Sequence, residues 1–152
     1  MPQIKVGDMA PDFETVDDQN NKVKLSGLRG KKVVLYFYPK DDTPGCTTQA
    51  CGFRDNAARL AGKNAVVLGV SPDDVASHQA FKARFDLNFP LLVDSDHKIS
   101  DQYGVWAERT MGDRKFMGVN RSHFVIDETG TVADAVYGVN PAESPELSIK
   151  NL

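Results

Sequence analysis

Cysteine is scarce in this chain: Cys46 and Cys51 are the only two among 152 residues. Zinc sites want four ligands at tight spacings such as Cys-x2-Cys, and no such pair exists here. Excess positive charge is also missing. The net charge is −3, which argues against a nucleic-acid binder. No stretch approaches the roughly 18 apolar residues of a membrane span, so no membrane partner is expected. The N-terminus, Met1-Pro-Gln-Ile-Lys-Val-Gly-Asp8, lacks the apolar core of a signal peptide. The expected location is the reducing cytoplasm, where a disulfide is usually catalytic or redox-sensing rather than a staple. Asp94-Ser-Asp96 lacks the glycine and closing glutamate of a calcium loop. His78, His97 and His123 are scattered and carry no catalytic pattern. Repeats and low-complexity segments are absent, and the length suits one domain, residues 1–152, with one core.

What is present alternates between strand and helix patterns. A hairpin is expected over Phe13–Leu25, turning at Asp18-Gln-Asn-Asn21, then a loop or single turn at Ser26–Gly30. The continuous apolar run Val33–Tyr38 reads as a buried strand. Thr43 to Ala61 reads as one helix ending at Gly62. Ala65–Val70 is a second buried strand. Ser71 is expected to cap a helix over Pro72–Phe85. A short strand at Leu91–Val93, a short helix at Asp96–Tyr103 and an extended segment from Gly104 to Glu108 follow. Arg121–Ile126 and Thr131–Tyr137 form a hairpin around Asp127-Glu-Thr-Gly130. The last fifteen residues are polar and proline-interrupted, with room for a short helix at most. The order implies an α/β fold, a mixed central sheet with helices on both faces. It puts Cys46 just beyond the C-terminal end of the first buried strand, where open α/β sheets usually bind ligands.

The chemistry concentrates in Pro39-Lys-Asp-Asp-Thr43-Pro-Gly-Cys46-Thr-Thr-Gln-Ala-Cys51. Thr43 suits an N-cap and Pro44 the first helical position. Cys46 then lies in the first turn, among backbone N–H groups without intrahelical partners. Such settings favour the thiolate and can bring a cysteine pKa down to roughly 3.5–7.5. Gly45 leaves room for a small substrate, and the Thr43 hydroxyl can donate to the sulfur or to a bound oxygen. Cys51 is five positions on. In one regular helix the two Cα atoms would be about 8.7 Å apart, whereas a disulfide wants roughly 4.4–6.8 Å. Either the segment is not helical or bonding requires local unwinding. Cys51 can also be read as an inert buried thiol. Asp41 and Asp42 are expected to face solvent or pair with Lys40 or Arg54. Tyr36, Phe37, Tyr38, Phe53 and Trp106 read as core or pocket wall.

Pro39-Lys-Asp-Asp-Thr43-Pro-Gly-Cys46 resembles the Pro-x-x-x-Thr-x-x-Cys signature of peroxiredoxins. The longer run Phe37 to Asp55, with its second cysteine five residues after the first, looks like the bacterioferritin comigratory protein, or peroxiredoxin Q, branch. Ala10-Pro-Asp-Phe13 and Gly118-Val-Asn-Arg121-Ser-His-Phe-Val-Ile-Asp127 are similar to two further family segments. The likeness covers about residues 4 to 137. His123 and the tail after Tyr137 depart from the family pattern. The resemblance implies a thioredoxin-like fold and a thiol peroxidase acting on hydrogen peroxide and organic hydroperoxides. It makes Cys46 the peroxidatic and Cys51 the resolving cysteine, joined as an intrachain disulfide. Pro39 would shield the sulfur, Thr43 hydrogen-bond it, and Arg121 supply positive charge. Thioredoxin or a related dithiol would be the reductant. No metal or organic cofactor is called for. Two cysteines used within one chain suit a monomer, with a dimer as the alternative. The rival readings are a redox-sensing switch and a general thiol–disulfide oxidoreductase; the latter usually carries Cys-x-x-Cys.

Overall fold

The apolar run after Lys32 becomes the middle strand of a five-stranded sheet in the computed structural model, which describes residues 3–152. The strands are β1 (Glu14–Val16), β2 (Lys22–Lys24), β3 (Lys32–Phe37), β4 (Ala65–Ser71), β5 (Leu91–Val93), β6 (Trp106–Met111), β7 (Arg114–Val119), β8 (Ser122–Ile126) and β9 (Val132–Tyr137). The helices are α1 (Pro44–Asp55), α2 (Ala57–Gly62), α3 (Val75–Phe85), α4 (Lys98–Gln102) and α5 (Ser144–Lys150). The sheet order is β5-β4-β3-β8-β9. β3, β4 and β5 run parallel, whereas β8 is antiparallel to β3 and β9 to β8. This is the expected mixed sheet.

Strand alternation divides the core. Val33, Leu35 and Phe37 face one side, where Phe13, Leu25, Ile99 and Tyr103 cover them. Val34, Tyr36 and Tyr38 face the other, against Ala50 and Phe53 of α1, Phe81 of α3 and Ile149 of α5. Both crossovers, β3–α1–α2–β4 and β4–α3–β5, step in the same direction along the sheet. Right-handed connections then put α1 and α3 on one face. α4 and a 3-10 turn at Leu25–Leu28 close the other. Tyr36 stacks on Phe53 with ring centroids 4.8 Å apart. Such pairs add about 0.5–1.5 kcal/mol beyond area burial, so this contact pins α1 to the central strand.

Three local expectations change. The single helix Thr43–Ala61 is broken at Asn56, which leaves helical geometry at φ −105° and ψ 18°. Its side-chain amide donates to the Gly52 carbonyl at 2.7 Å, the local competition that asparagine offers a helix. Ser71 does not cap the next helix. It remains in β4, and Asp74 takes the cap, accepting from the Ser77 N–H at 2.9 Å. The extended segment after Gly104 is a complete β6–β7 hairpin, a separate two-stranded sheet. The tail does form a short helix, α5, with Ser144, Pro145, Ser148 and Ile149 buried. Trp106 is partly buried and stacks on His97 at 4.2 Å.

Candidate active site

The register between β3 and β8 assembles the site. Phe37 pairs with Ser122, so the residue before β8, Arg121, lies at the sheet end where β3 runs out toward α1. Thr43 is extended at the N-cap position, Pro44 opens α1, and Cys46 falls in its first turn. The Cys46 side chain is 1% exposed and packs with Tyr36, Tyr38, Ala50 and Phe53. Thr43 and Gly45 beside it are partly exposed. Pro39 is exposed in the turn between β3 and α1. The Thr43 hydroxyl donates to the Lys40 carbonyl at 2.8 Å rather than to the sulfur. Its single hydrogen is thereby used, and its oxygen is left to accept.

Arg121 reaches the sulfur. Its Nη2 donates to Cys46 Sγ at 3.4 Å and its Nη1 to Gln49 Oε1 at 2.8 Å. A Cβ on Gly45 would stand 3.0 Å from Arg121 Nη2, so the glycine lets the guanidinium lie close over the helix start. Gln49 was not among the residues singled out from sequence. The available signal was its place one helical turn after Cys46, on the same face. Gln49 Nε2 in turn donates to Ser144 Oγ at 3.0 Å. Nothing local in the sequence points to Ser144, because the contact joins residues far apart in the chain.

Asp41 is not a solvated turn residue. It is 7% exposed and accepts from Tyr38 Oη at 2.6 Å, Ser77 Oγ at 2.8 Å and His78 Nδ1 at 2.7 Å. Its own N–H donates to Asp73 Oδ2 at 2.8 Å. The loop before α1 is thus tied to α3 from inside. Asp42 pairs with Arg84 at 2.7 Å, not with Lys40 or Arg54. Burial lowers the His78 pKa, but the bond to Asp41 and the carboxylate charges of Asp41 and Asp73 outweigh it, and the net direction is up. Burial also pushes the Tyr36 phenol well above its ordinary value, with the Cys46 and Asp41 charges adding to it.

Cys51 is partly buried, and both thiols are free. α1 is unbroken from Pro44 to Asp55, so of the two alternatives the helical one holds. The cysteines sit beyond disulfide distance in this state. α5 lies against this stretch: a Cβ on Gly52 would meet Pro145 at 2.6 Å. Glycine at 52 therefore permits the close approach of the tail. Joining the sulfurs would require this part of α1 to loosen from α5.

The sequence matches the AhpC/TSA family over residues 6–135. It is 48% identical over 127 residues to peroxiredoxin Bcp of Bacillus subtilis, covering 84% of this chain and 81% of that one. It is 42% identical over 132 residues to peroxiredoxin Bcp of Escherichia coli, covering 87% and 85%. Among solved structures, a PrxQ mutant from Xylella fastidiosa superposes with a TM-score of 0.92 at 32% identity, covering 99% of this chain and 96% of that one. The bacterioferritin comigratory protein of Xanthomonas campestris, studied for alkyl peroxide reduction, superposes at 0.86 with 31% identity, covering 91% and 88%. No helix among the described residues is long and apolar enough to cross a membrane.

Proposed function

Because this chain belongs to the AhpC/TSA family and is a peroxiredoxin, a thiol peroxidase, we propose that Cys46 attacks the peroxide, Cys51 resolves the product, and Arg121 and Thr43 hold the reacting oxygens. The observation that carries this reading is the guanidinium of Arg121, 3.4 Å from a sulfur in the first turn of a helix. Helix-terminal N–H groups and a fixed positive charge both favour the thiolate.

The Cys46 thiolate displaces one oxygen of a hydroperoxide as the O–O bond breaks. The sulfur becomes a sulfenic acid, and the departing alkoxide or hydroxide takes a proton. Negative charge grows on the departing oxygen, and donors already aimed there lower the barrier. Arg121 is suited to this, since a planar fork can hold sulfur and oxygen together. Thr43 donates its hydrogen to Lys40, so its oxygen accepts from the peroxide O–H. Pro39, with its fixed φ, shapes the turn that delivers Thr43. Cys51 then condenses with the sulfenic acid, forming the disulfide and expelling water, before overoxidation to sulfinic acid. A dithiol returns both thiols by exchange. Thioredoxin or a protein like it is the proposed donor, hydrogen peroxide and alkyl hydroperoxides the substrates, and the cytoplasm the setting.

One equivalent of hydrogen peroxide should remove two hydrogens from the intact mass with no oxygen added and no covalent dimer. Far-UV circular dichroism should register lost helix in that form. Cys46→Ser should abolish the reaction. Arg121→Ala should slow the first oxidation by about 100- to 1,000-fold, the scale of losing one aimed donor. An oxygen-bearing mass with Cys51 still free would remove Cys51 from the cycle.

A further inference from the structure

His123 is fully buried on β8, two positions after Arg121, and the chemistry above leaves it unused. Its Nδ1 lies 2.7 Å from Ser144 Oγ. That contact closes a chain of polar groups: Cys46 Sγ, Arg121, Gln49, Ser144, His123. The directions from Arg121 as far as Ser144 follow from donor and acceptor inventories, and the last follows from satisfying the Ser144 hydrogen. Arg121 can only donate, so the Gln49 atom 2.8 Å from it is the carbonyl oxygen. The other end of that amide is the NH2, which can only donate to Ser144 Oγ. Ser144 thereby accepts, and its one hydrogen points to His123 Nδ1. Ser144 Oγ has no other acceptor within reach among the described residues, so its hydrogen is satisfied only if that nitrogen is bare. The ring proton is on Nε2, which looks toward Asp134 of β9 at 3.6 Å, too long for a hydrogen bond.

We propose that His123 is a positioning residue for peroxide attack: through Ser144 and Gln49 its bare Nδ1 holds the Arg121 guanidinium on the Cys46 sulfur. Without an acceptor at Nδ1, Ser144 has no inward partner for its hydrogen. Its hydroxyl can then turn and donate to Gln49, inviting the amide to flip and present NH2 to a guanidinium that can only donate. Arg121 would lose its brace and with it the distance to sulfur. His123 on β8 and Ser144 at the start of α5 are on this account one device. The neutral ring agrees with its surroundings. Burial lowers its pKa, and Asp134 opposes that incompletely. The charged group facing the ring is Asp134 on β9, and Arg121, just before β8, is linked to it through Gln49 and Ser144.

The proposal rests on Cys46 being the attacking thiol, so Cys46→Ser and the unmodified protein are measured alongside. The readout is the second-order rate of thiol loss with hydrogen peroxide, and each variant's thermal melt is recorded. His123→Leu and Ser144→Ala should each slow the first oxidation about tenfold, the cost of a loosened rather than a missing donor. His123→Asn, whose Oδ1 can accept from Ser144 where Nδ1 did, should recover to within about threefold of the parent rate. The double variant His123→Leu/Ser144→Ala should be no slower than either single one, as expected of residues in one chain. Parent rates in His123→Leu or Ser144→Ala, an Asn variant as slow as Leu, or additive losses in the double variant would each overturn the proposal. If His123→Leu does not fold, Ser144→Ala and His123→Asn decide. If the unmodified protein itself fails to consume peroxide, the peroxidase reading is what has failed.

Discussion

Two buried histidines brace the helix that carries Cys46, and their hydrogen bonds run in opposite senses. His78, on α3, has a carboxylate at one nitrogen and the Leu92 carbonyl, 2.8 Å away, at the other. Both neighbours accept, so both nitrogens donate, and the ring is held toward its charged form. It anchors Asp41 and therefore the loop leading into α1. His123, on β8, meets the Ser144 hydroxyl at Nδ1, and burial lowers its pKa. On the proposal above it braces Arg121 through Ser144 and Gln49. The same side chain, equally buried, is pushed in opposite directions because one faces two acceptors and the other a hydroxyl. Residue type and burial do not set a histidine's role; the polarity of its two partners does.

The contrast can be broken experimentally, most severely on the His78 side. Asp41→Ala leaves the His78 ring and two hydroxyls buried without their acceptor. Losing one member of a buried pair costs about 3–5 kcal/mol, so denaturant midpoints should fall accordingly; a loss under 1 kcal/mol would mean that the loop is held elsewhere. His123→Leu removes an acceptor but no charge. Its stability loss should be about 1–3 kcal/mol, the cost of an unsatisfied hydroxyl, with the larger effect on rate. Ser77→Ala deletes one of three donors to Asp41 and should cost about 0.5–1.5 kcal/mol in the same denaturant titration.

The finest test is the sign of the pH response. A histidine with a raised folded pKa, such as His78, contributes stability that is complete below its unfolded value of about 6.5 and is lost as pH climbs through the folded value. For His123 the folded pKa is lowered. The unfolded ring takes up a proton near 6.5 that the folded one refuses, so stability falls as pH drops below that point. Melting temperatures between about pH 5 and 8 should lose their acid-side decline in His123→Asn and their neutral-side decline in His78→Asn. The same slope in both variants would dissolve the distinction.

Much of the frame was legible beforehand, for local reasons. The Val33–Tyr38 run, the N-cap and proline at Thr43-Pro44, and the Asp127–Gly130 turn each carry their signal within a few residues. Cys46 and Cys51 stood out by scarcity and spacing, and Arg121 by resemblance. Errors arose where a long-range partner outbid a local preference. Asp41-Asp42 reads as a solvated turn until α3 supplies Ser77 and His78. Ser71 is a good cap by composition, yet β4 claims it. Gln49, Ser144 and His123 have no shared motif; α1, the tail and β8 are brought together only by the tertiary fold.

What the chain determined by itself was the proposed reactive centre: a thiol in the first turn of a helix, a second thiol five positions on, and no other cysteine. Those depend on bond geometry and neighbours in sequence, which any folded context must respect. Tertiary structure decided how the centre is held. The distance from guanidinium to sulfur, the direction of each hydrogen bond behind it and the charge on each histidine depend on which groups are brought together in the absence of water. A buried donor or acceptor takes its meaning from the partner opposite, and that partner is chosen by packing.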